Sequence, residues 1–158
     1  MSSRREITRV RSARQASVFL RLYELYCHEL APLISMRPDR HGCYADASLG
    51  ADLLKDKAVE LWLAADAEGP AGFLWLEKKG ARWTVDQLYV LPLCRRSGLA
   101  AELVRHGLSR HPGAWEVFVL ENNTAALAFW RALLPSLGTW TETREPLDGR
   151  AGVVWRKA

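Results

Sequence analysis

The 158-residue sequence predicts an α+β (mixed α/β) fold: a central, mostly antiparallel twisted sheet of about seven strands with about four helices. Three observations predict it. Three β-rich runs follow one another between Val59 and Leu91, separated only by short turn signals. Helix and strand patterns then alternate from Gly98 to Leu134, and two further β-rich runs follow. The resulting order, β-α-α-β-β-β-α-β-α-β-β, suits a mixed sheet with helices packed on its faces rather than a doubly wound parallel sheet.

Each element has its own signal. Ile7–Arg11 reads as a short first strand. Ser12 with Gln15 three residues later is a capping box, and Val18, Phe19, Leu22, Leu25, Tyr26 and Leu30 then recur at helical spacing. Ala31-Pro32 is expected to end this helix, residues 32–48 to form a loop, and Leu49–Asp56 a short second helix. Val59–Ala65 and Ala71–Lys78 flank the turn Glu68-Gly69-Pro70, and Arg82–Leu91 follows Lys79-Gly80 as a third consecutive strand. Gly98–Arg110 is a helix with Leu99, Leu103, Val104 and Leu108 on one face, stopped by His111-Pro112-Gly113. Trp115–Leu120 is a strand, and Thr124–Leu134 a helix capped by Asn123 with Ala126, Phe129, Trp130 and Leu133 on one side. Gly138–Thr143 and Arg150–Arg156 pair across Leu147-Asp148-Gly149.

Composition narrows the classes of function. An apolar fraction of 49% with 25% charged residues suits one globular domain spanning residues 1–158 and excludes a disordered or collagen-like chain. Five arginines and one glutamate within residues 1–15 account for the whole net charge of +4. The basicity is therefore terminal, which argues against a nucleic-acid-binding face. The same arginines interrupt any apolar leader, and no stretch approaches the ~20 apolar residues of a membrane span. The expectation is a cytoplasmic protein with neither nucleic acid nor membrane as partner. Cys27, Cys43 and Cys94 are widely spaced and odd in number, so neither a disulfide framework nor a metal site is expected.

The junction between the strand ending near Leu91 and the helix starting near Gly98 carries the chemistry. A strand–loop–helix with small residues at the helix start offers unpaired N–H groups to an anion, and the helix dipole adds to the field. Gly98 permits close approach of a phosphate, Ala100 keeps the first turn clear, and Arg95 and Arg96 can add charge. An arginine-bearing loop capped by glycine is the structural alternative. No Gly-x-x-x-x-Gly-Lys-Ser/Thr occurs, which excludes a Walker loop, and the absence of Gly-x-Gly-x-x-Gly takes from nicotinamide and flavin chemistry their best support.

Arg95, Gly98 and Ala100 match the Gln/Arg-x-x-Gly-x-Gly/Ala signature of the GNAT superfamily of acetyl-CoA-dependent N-acetyltransferases, which the sequence resembles. Asp86-Gln87-Leu88-Tyr89-Val90-Leu91-Pro92 looks like the strand that leads into that signature. Asn123-Thr124-Ala125-Ala126-Leu127-Ala128-Phe129-Trp130 is similar to the second family motif, Asn-x-x-Ala-x-x-Phe-Tyr. The resemblance is dense over residues 84–134. It implies a GNAT-like fold whose sheet splays between strands 4 and 5 at a β-bulge, with acetyl-CoA as co-substrate and no metal. The pantetheine arm would pair with the backbone of Leu88 and Val90 as a pseudo-strand. The pyrophosphate would lie on the Arg95-Arg96-Ser97-Gly98-Leu99-Ala100 loop, chiefly on the amides of Arg96 to Ala100. Asn123 and Ala126 would border the distal part of CoA, with Phe129 and Trp130 on the same helix, although Asn123 also reads as a simple helix cap.

Acetyl transfer needs a deprotonated amine, a polarised thioester carbonyl and a protonation route for the departing thiolate. The resemblance makes Asp86 the general-base candidate, acting through water, and the Val90 N–H the oxyanion donor. An ion pair is the structural alternative for Asp86. Glu121 is a second candidate base, while Glu77 and Glu60 equally suit solvent-facing strand positions. Trp130 departs from the family's tyrosine, and an indole N–H donates a hydrogen bond but does not supply a proton near neutral pH. Tyr89, Tyr26 and Tyr44 are the remaining phenols, none favoured by spacing. No base is arranged to activate Cys94 as an acyl carrier. Trp62, Trp75 and Trp83 fall on strands and suit core or cleft lining.

The expected reaction moves an acetyl group to a primary amine of a small molecule or peptide by direct attack in a ternary complex. Residues 32–48 and 143–150 would build the acceptor pocket, with Asp39, His41, Tyr44, Glu145 and Asp148 among them. The absent tyrosine motivates an alternative, a catalytically weak acyl-CoA-binding sensor. A homodimer is compatible with the resemblance, since dimers are frequent for the fold.

Overall fold

The computed structural model describes residues 4–158. One seven-stranded sheet runs through it in the order β1-β2-β3-β4-β5-β7-β6: β1 (Glu6–Arg9), β2 (Val59–Asp66), β3 (Gly69–Lys79), β4 (Arg82–Val90), β5 (Trp115–Leu120), β6 (Thr141–Leu147) and β7 (Arg150–Lys157). Four helices cover it: α1 (Ala13–Ile34), α2 (Leu49–Lys55), α3 (Leu99–Arg110) and α4 (Thr124–Leu133). Every neighbouring pair is antiparallel except β4 and β5. The element order read from the sequence is the order found.

Strand alternation divides the sheet into two apolar faces. On one, Leu61, Leu63, Phe73, Trp75 and Tyr89 pack against Phe19 and Leu22 of α1, with Leu49, Leu53 and Leu54 of α2 alongside. On the other, Trp62, Leu74, Leu76, Val85, Val117 and Trp155 meet Leu99, Leu103 and Val104 of α3 and Leu127, Trp130 and Leu133 of α4. Each large side chain so buried contributes about 1.5–3 kcal/mol relative to exposure. α3 packs tightly on the sheet at Gly107, where a Cβ would stand 2.9 Å from Leu74 Cδ2. Leu25, expected on the inner face of α1, is instead exposed.

The capping box forms as read. Ser12 Oγ accepts from Gln15 N, and Gln15 Oε1 accepts from Ser12 N, both at 3.2 Å. The expected end of α1 at Ala31-Pro32 is corrected: the helix includes Pro32 and runs to Ile34. A proline in the last turn forfeits a single hydrogen bond. The end is instead set by Ser35, which adopts the left-handed conformation at φ 54°, with its own amide and that of Met36 returning to the Ala31 carbonyl. The sixth strand is also corrected, from Gly138–Thr143 to Thr141–Leu147. A 3-10 turn at Leu134–Leu137 extends α4 and delays the strand.

Candidate active site

β4 and β5 share only two register pairs, Trp83 with Trp115 and Thr84 with Glu116. Beyond them the two strands part. The separation begins beside a bulge in β4, where Trp75 of β3 faces Gln87 and Leu76 faces Val85, which leaves Asp86 as the extra residue. Leu91 N donates to the Ala71 carbonyl at 2.9 Å, so Leu91 and Tyr89 turn their peptide groups toward β3. Alternation therefore points the N–H and C=O groups of Leu88 and Val90 to the open side facing β5. The closed end is held on one face by Trp83 stacked on His111, with ring centroids 3.9 Å apart. On the other face Arg156 Nε bonds Glu116 at 2.6 Å.

Behind this open edge, a 3-10 turn at Pro92–Cys94 leads into the loop Arg95–Gly98 and then α3. Arg96 and Gly98 both have positive φ, 59° and 82°, so the loop turns tightly into the helix. Gly98 caps α3 without a side-chain hydrogen bond, and a Cβ there would meet no atom within 4 Å. Backbone donors at the start of a dipole-bearing helix thus border open space, which fits a phosphate group. Ser97 is fixed from both ends: its Oγ donates to the Cys94 carbonyl at 2.6 Å, and its own carbonyl accepts from Arg5 Nη2 at 2.8 Å. Leu99 is buried and Ala100 half-buried, so the loop is anchored from below.

Arg95 turns inward. Its Nε donates to the Val90 carbonyl at 2.9 Å, its Nη2 reaches both carboxylate oxygens of Glu29 on α1 (2.9 and 2.7 Å), and its guanidinium lies 5.6 Å from the Tyr89 ring centre. Tyr89 Oη donates to the same Glu29 at 3.0 Å. Burial and then this hydrogen bond push the Tyr89 phenol up to about 12. Glu29 carried no sequence signal, because its partners lie 60 and 66 positions away along the chain.

Asp86 sits on the α1 side of the bulge. Lys79 Nζ donates to its Oδ1 at 3.1 Å and Gln87 Nε2 to its Oδ2 at 3.2 Å, while Tyr26 Oη donates to Gln87 Oε1. Burial works against the Lys79 charge, but the Asp86 hydrogen bond prevails and holds the ammonium above its ordinary value. Burial raises the Tyr26 phenol far above its usual range, so Tyr26 stays a neutral donor. The ion-pair partner of Asp86 is thus a lysine, and a polar chain Tyr26–Gln87–Asp86–Lys79 lines this side of the opening.

The remaining sequence candidates separate. Asn123 Oδ1 caps α4 through Ala126 N at 3.2 Å, with Ala126 half-buried beside it. Trp130 is buried at 5% exposure against a half-buried Phe129. Glu121 is exposed and paired with Arg144 at 3.2 Å. Glu60 lies in the wall near the closed end, held by Arg9, His111 and Trp62. Tyr44 leans on His28, beside a cleft of about 400 Å³ that also includes Ala31, Ser35 and Arg37. Asn122 Nδ2 and Arg150 Nη2 reach the Leu33 and Ile34 carbonyls, which brings the β5–α4 loop and the β6–β7 hairpin to the end of α1. Asp39 is spent in its own turn, and Glu145 in a two-bond pair with Arg156.

A sheet opened at its one parallel pair, with a glycine-capped loop leading into a helix behind the opening, is the framework of the acyl-CoA N-acyltransferases. A sequence profile of the acetyltransferase (GNAT) family matches residues 19–134, and the chain belongs to that family. A search among curated proteins finds no matching sequence. Among solved structures, the chain is similar to an acetyltransferase from Thermus thermophilus, with 18% identity, a TM-score of 0.71 and coverage of 97% of this chain and 96% of that one. It is also similar to spermidine N-acetyltransferase from Vibrio cholerae, solved with CoA and spermine (12%, 0.70, 97% and 94%). The ribosomal-protein-S18-alanine N-acetyltransferase from Escherichia coli is a third (16%, 0.64, 97% and 92%). These likenesses are of fold. Among the described residues no helix is long and apolar enough to cross a membrane.

Proposed function

We propose that this protein transfers an acetyl group from acetyl-CoA to a primary amine of a small molecule or peptide, by direct attack within a ternary complex. One observation carries the reading: β4 and β5 part after two pairs, with the backbone of Leu88 and Val90 turned into the gap and the Arg95–Ala100 loop directly behind it. A pantetheine arm pairs with those groups as an added strand, and the pyrophosphate takes the amides of Arg96, Ser97, Gly98, Leu99 and Ala100. Arg95 yields its hydrogen bond to the Val90 carbonyl as the arm enters and keeps its pair with Glu29. Asn123, Ala126, Phe129 and Trp130 border the groove on the α4 side.

Asp86 accepts the proton of the incoming ammonium through water, and Lys79 and Gln87 hold its carboxylate in place. The Val90 N–H polarises the thioester oxygen. The amine nitrogen bonds to the acetyl carbon, the C–S bond breaks, the nitrogen gives up its second proton to water, and the departing thiolate takes a proton from solvent. Trp130 supplies no proton, and a thiolate leaving group does not require a dedicated acid.

The buried Trp130 also favours a second reading, an acyl-CoA-binding sensor without turnover. An amine-library screen for free CoA release separates the two. Turnover with any amine supports the enzyme, while tight acetyl-CoA binding with no turnover across the library supports the sensor.

A further inference from the structure

Arg5 stands apart from the other N-terminal arginines. The strand β1 begins at the next residue, and its pairing with the end of β2 sets Arg5 beside the start of α3. The Arg5 guanidinium spans two groups there: Nη2 donates to the Ser97 carbonyl at 2.8 Å, and Nη1 pairs with Glu102 Oε2 at 3.0 Å. Its side chain is 29% exposed, so the contact is sheltered in part from solvent.

Both contacts bear on the anion loop. A carbonyl among the loop amides repels a phosphate oxygen unless it is turned away, and Arg5 is the group that holds the Ser97 carbonyl aside. Glu102 is favourable to the helix dipole but carries a negative charge in the first turn, next to the proposed seat of a pyrophosphate. Arg5 neutralises that charge. We infer that Arg5 is a positioning residue for the donor's pyrophosphate, acting through Ser97 and Glu102 on the loop at Arg95–Ala100. The inference rests on the assignment of that loop to acetyl-CoA.

Calorimetry with acetyl-CoA and NMR titration with S-acetylpantetheine, which lacks the pyrophosphate, test it on the whole protein without knowledge of the acceptor. Wild type should bind acetyl-CoA at least about a hundredfold more tightly than acetylpantetheine. Arg5→Ala should raise the Kd for acetyl-CoA about tenfold, the usual scale for one charge-assisted contact. It should leave the Kd for acetylpantetheine within about twofold. Arg5→Lys, which keeps the charge but not the two-group span, should fall between. Glu102→Gln added to Arg5→Ala should recover part of the loss. Equal weakening of both donors by Arg5→Ala and Arg5→Lys, or of neither, would overturn the role of Arg5 alone. A wild type that does not discriminate between the two donors would instead overturn the loop assignment.

Discussion

Lys79 Nζ lies 3.1 Å from Asp86 Oδ1, and the carboxylate it holds belongs to the one residue of β4 that has no partner in β3. The bulge takes Asp86 out of the ladder just where β4 and β5 separate. With Asp86 as base, Asp86→Asn should lower kcat about a hundredfold while the KM for acetyl-CoA stays within about twofold. Steady-state kinetics with an accepted amine checks it. A kcat within threefold of wild type would remove Asp86 from the mechanism.

Two glycines should respond oppositely to the same substitution. At Gly72 a Cβ would stand 2.3 Å from the Tyr89 carbonyl oxygen, between β3 and β4, with no flexible side chain to yield. Gly72→Ala should cost about 3 kcal/mol and lower the melting midpoint by about 10 °C. At Gly98 a Cβ meets nothing, and the cost is that of alanine at φ 82°, about 1 kcal/mol. Gly98→Ala should therefore melt within a few degrees of wild type yet bind acetyl-CoA about tenfold more weakly. Thermal melts paired with calorimetry on both variants decide this.

Trp130 offers a test of the missing acid. Its 5% exposure among Leu127, Leu133 and the sheet marks it as packing. Trp130→Phe should cost about 1–3 kcal/mol through the lost volume and leave kcat within about threefold. A kcat loss of a hundredfold with intact folding would show that the indole takes part in the chemistry.

The β6–β7 hairpin should weaken in acid. Hydrogen bonds from Arg156 and then Thr143 hold Glu145 down at about 2, below its ordinary 4.5. A carboxyl depressed in the folded state stabilises above its unfolded pKa, and that stability is lost as pH falls from there through the folded value. The melting midpoint should therefore drop between about pH 5 and pH 2, and less steeply in Glu145→Gln. The pair is partly exposed, so the difference should be only about 1–2 °C. Parallel pH profiles of the two proteins would contradict it.

Much of this architecture is legible in the sequence because its signals are local. The capping box at Ser12 and Gln15, the turn at Lys79-Gly80 and the helical spacing of Leu99, Leu103 and Val104 each lie within a few residues. The end of α1 marks the limit of such signals: Pro32 is a local stop, but the helix passes through it to the left-handed turn at Ser35. The splay between β4 and β5 is an implication of family resemblance, since no local pattern encodes it. Lys79, Glu29 and Arg5 are not legible at the site at all. Each acts on a residue brought near by the sheet or by α1, and Arg5 reaches Ser97 from 92 positions away.

Calorimetric titration of the protein with acetyl-CoA decides whether the Arg95–Ala100 loop and the open edge of β4 hold the donor. One-to-one binding in the micromolar range, weakened about tenfold by Gly98→Ala, is the expected result. No detectable binding at millimolar acetyl-CoA, or binding indifferent to Gly98→Ala, would contradict the assignment.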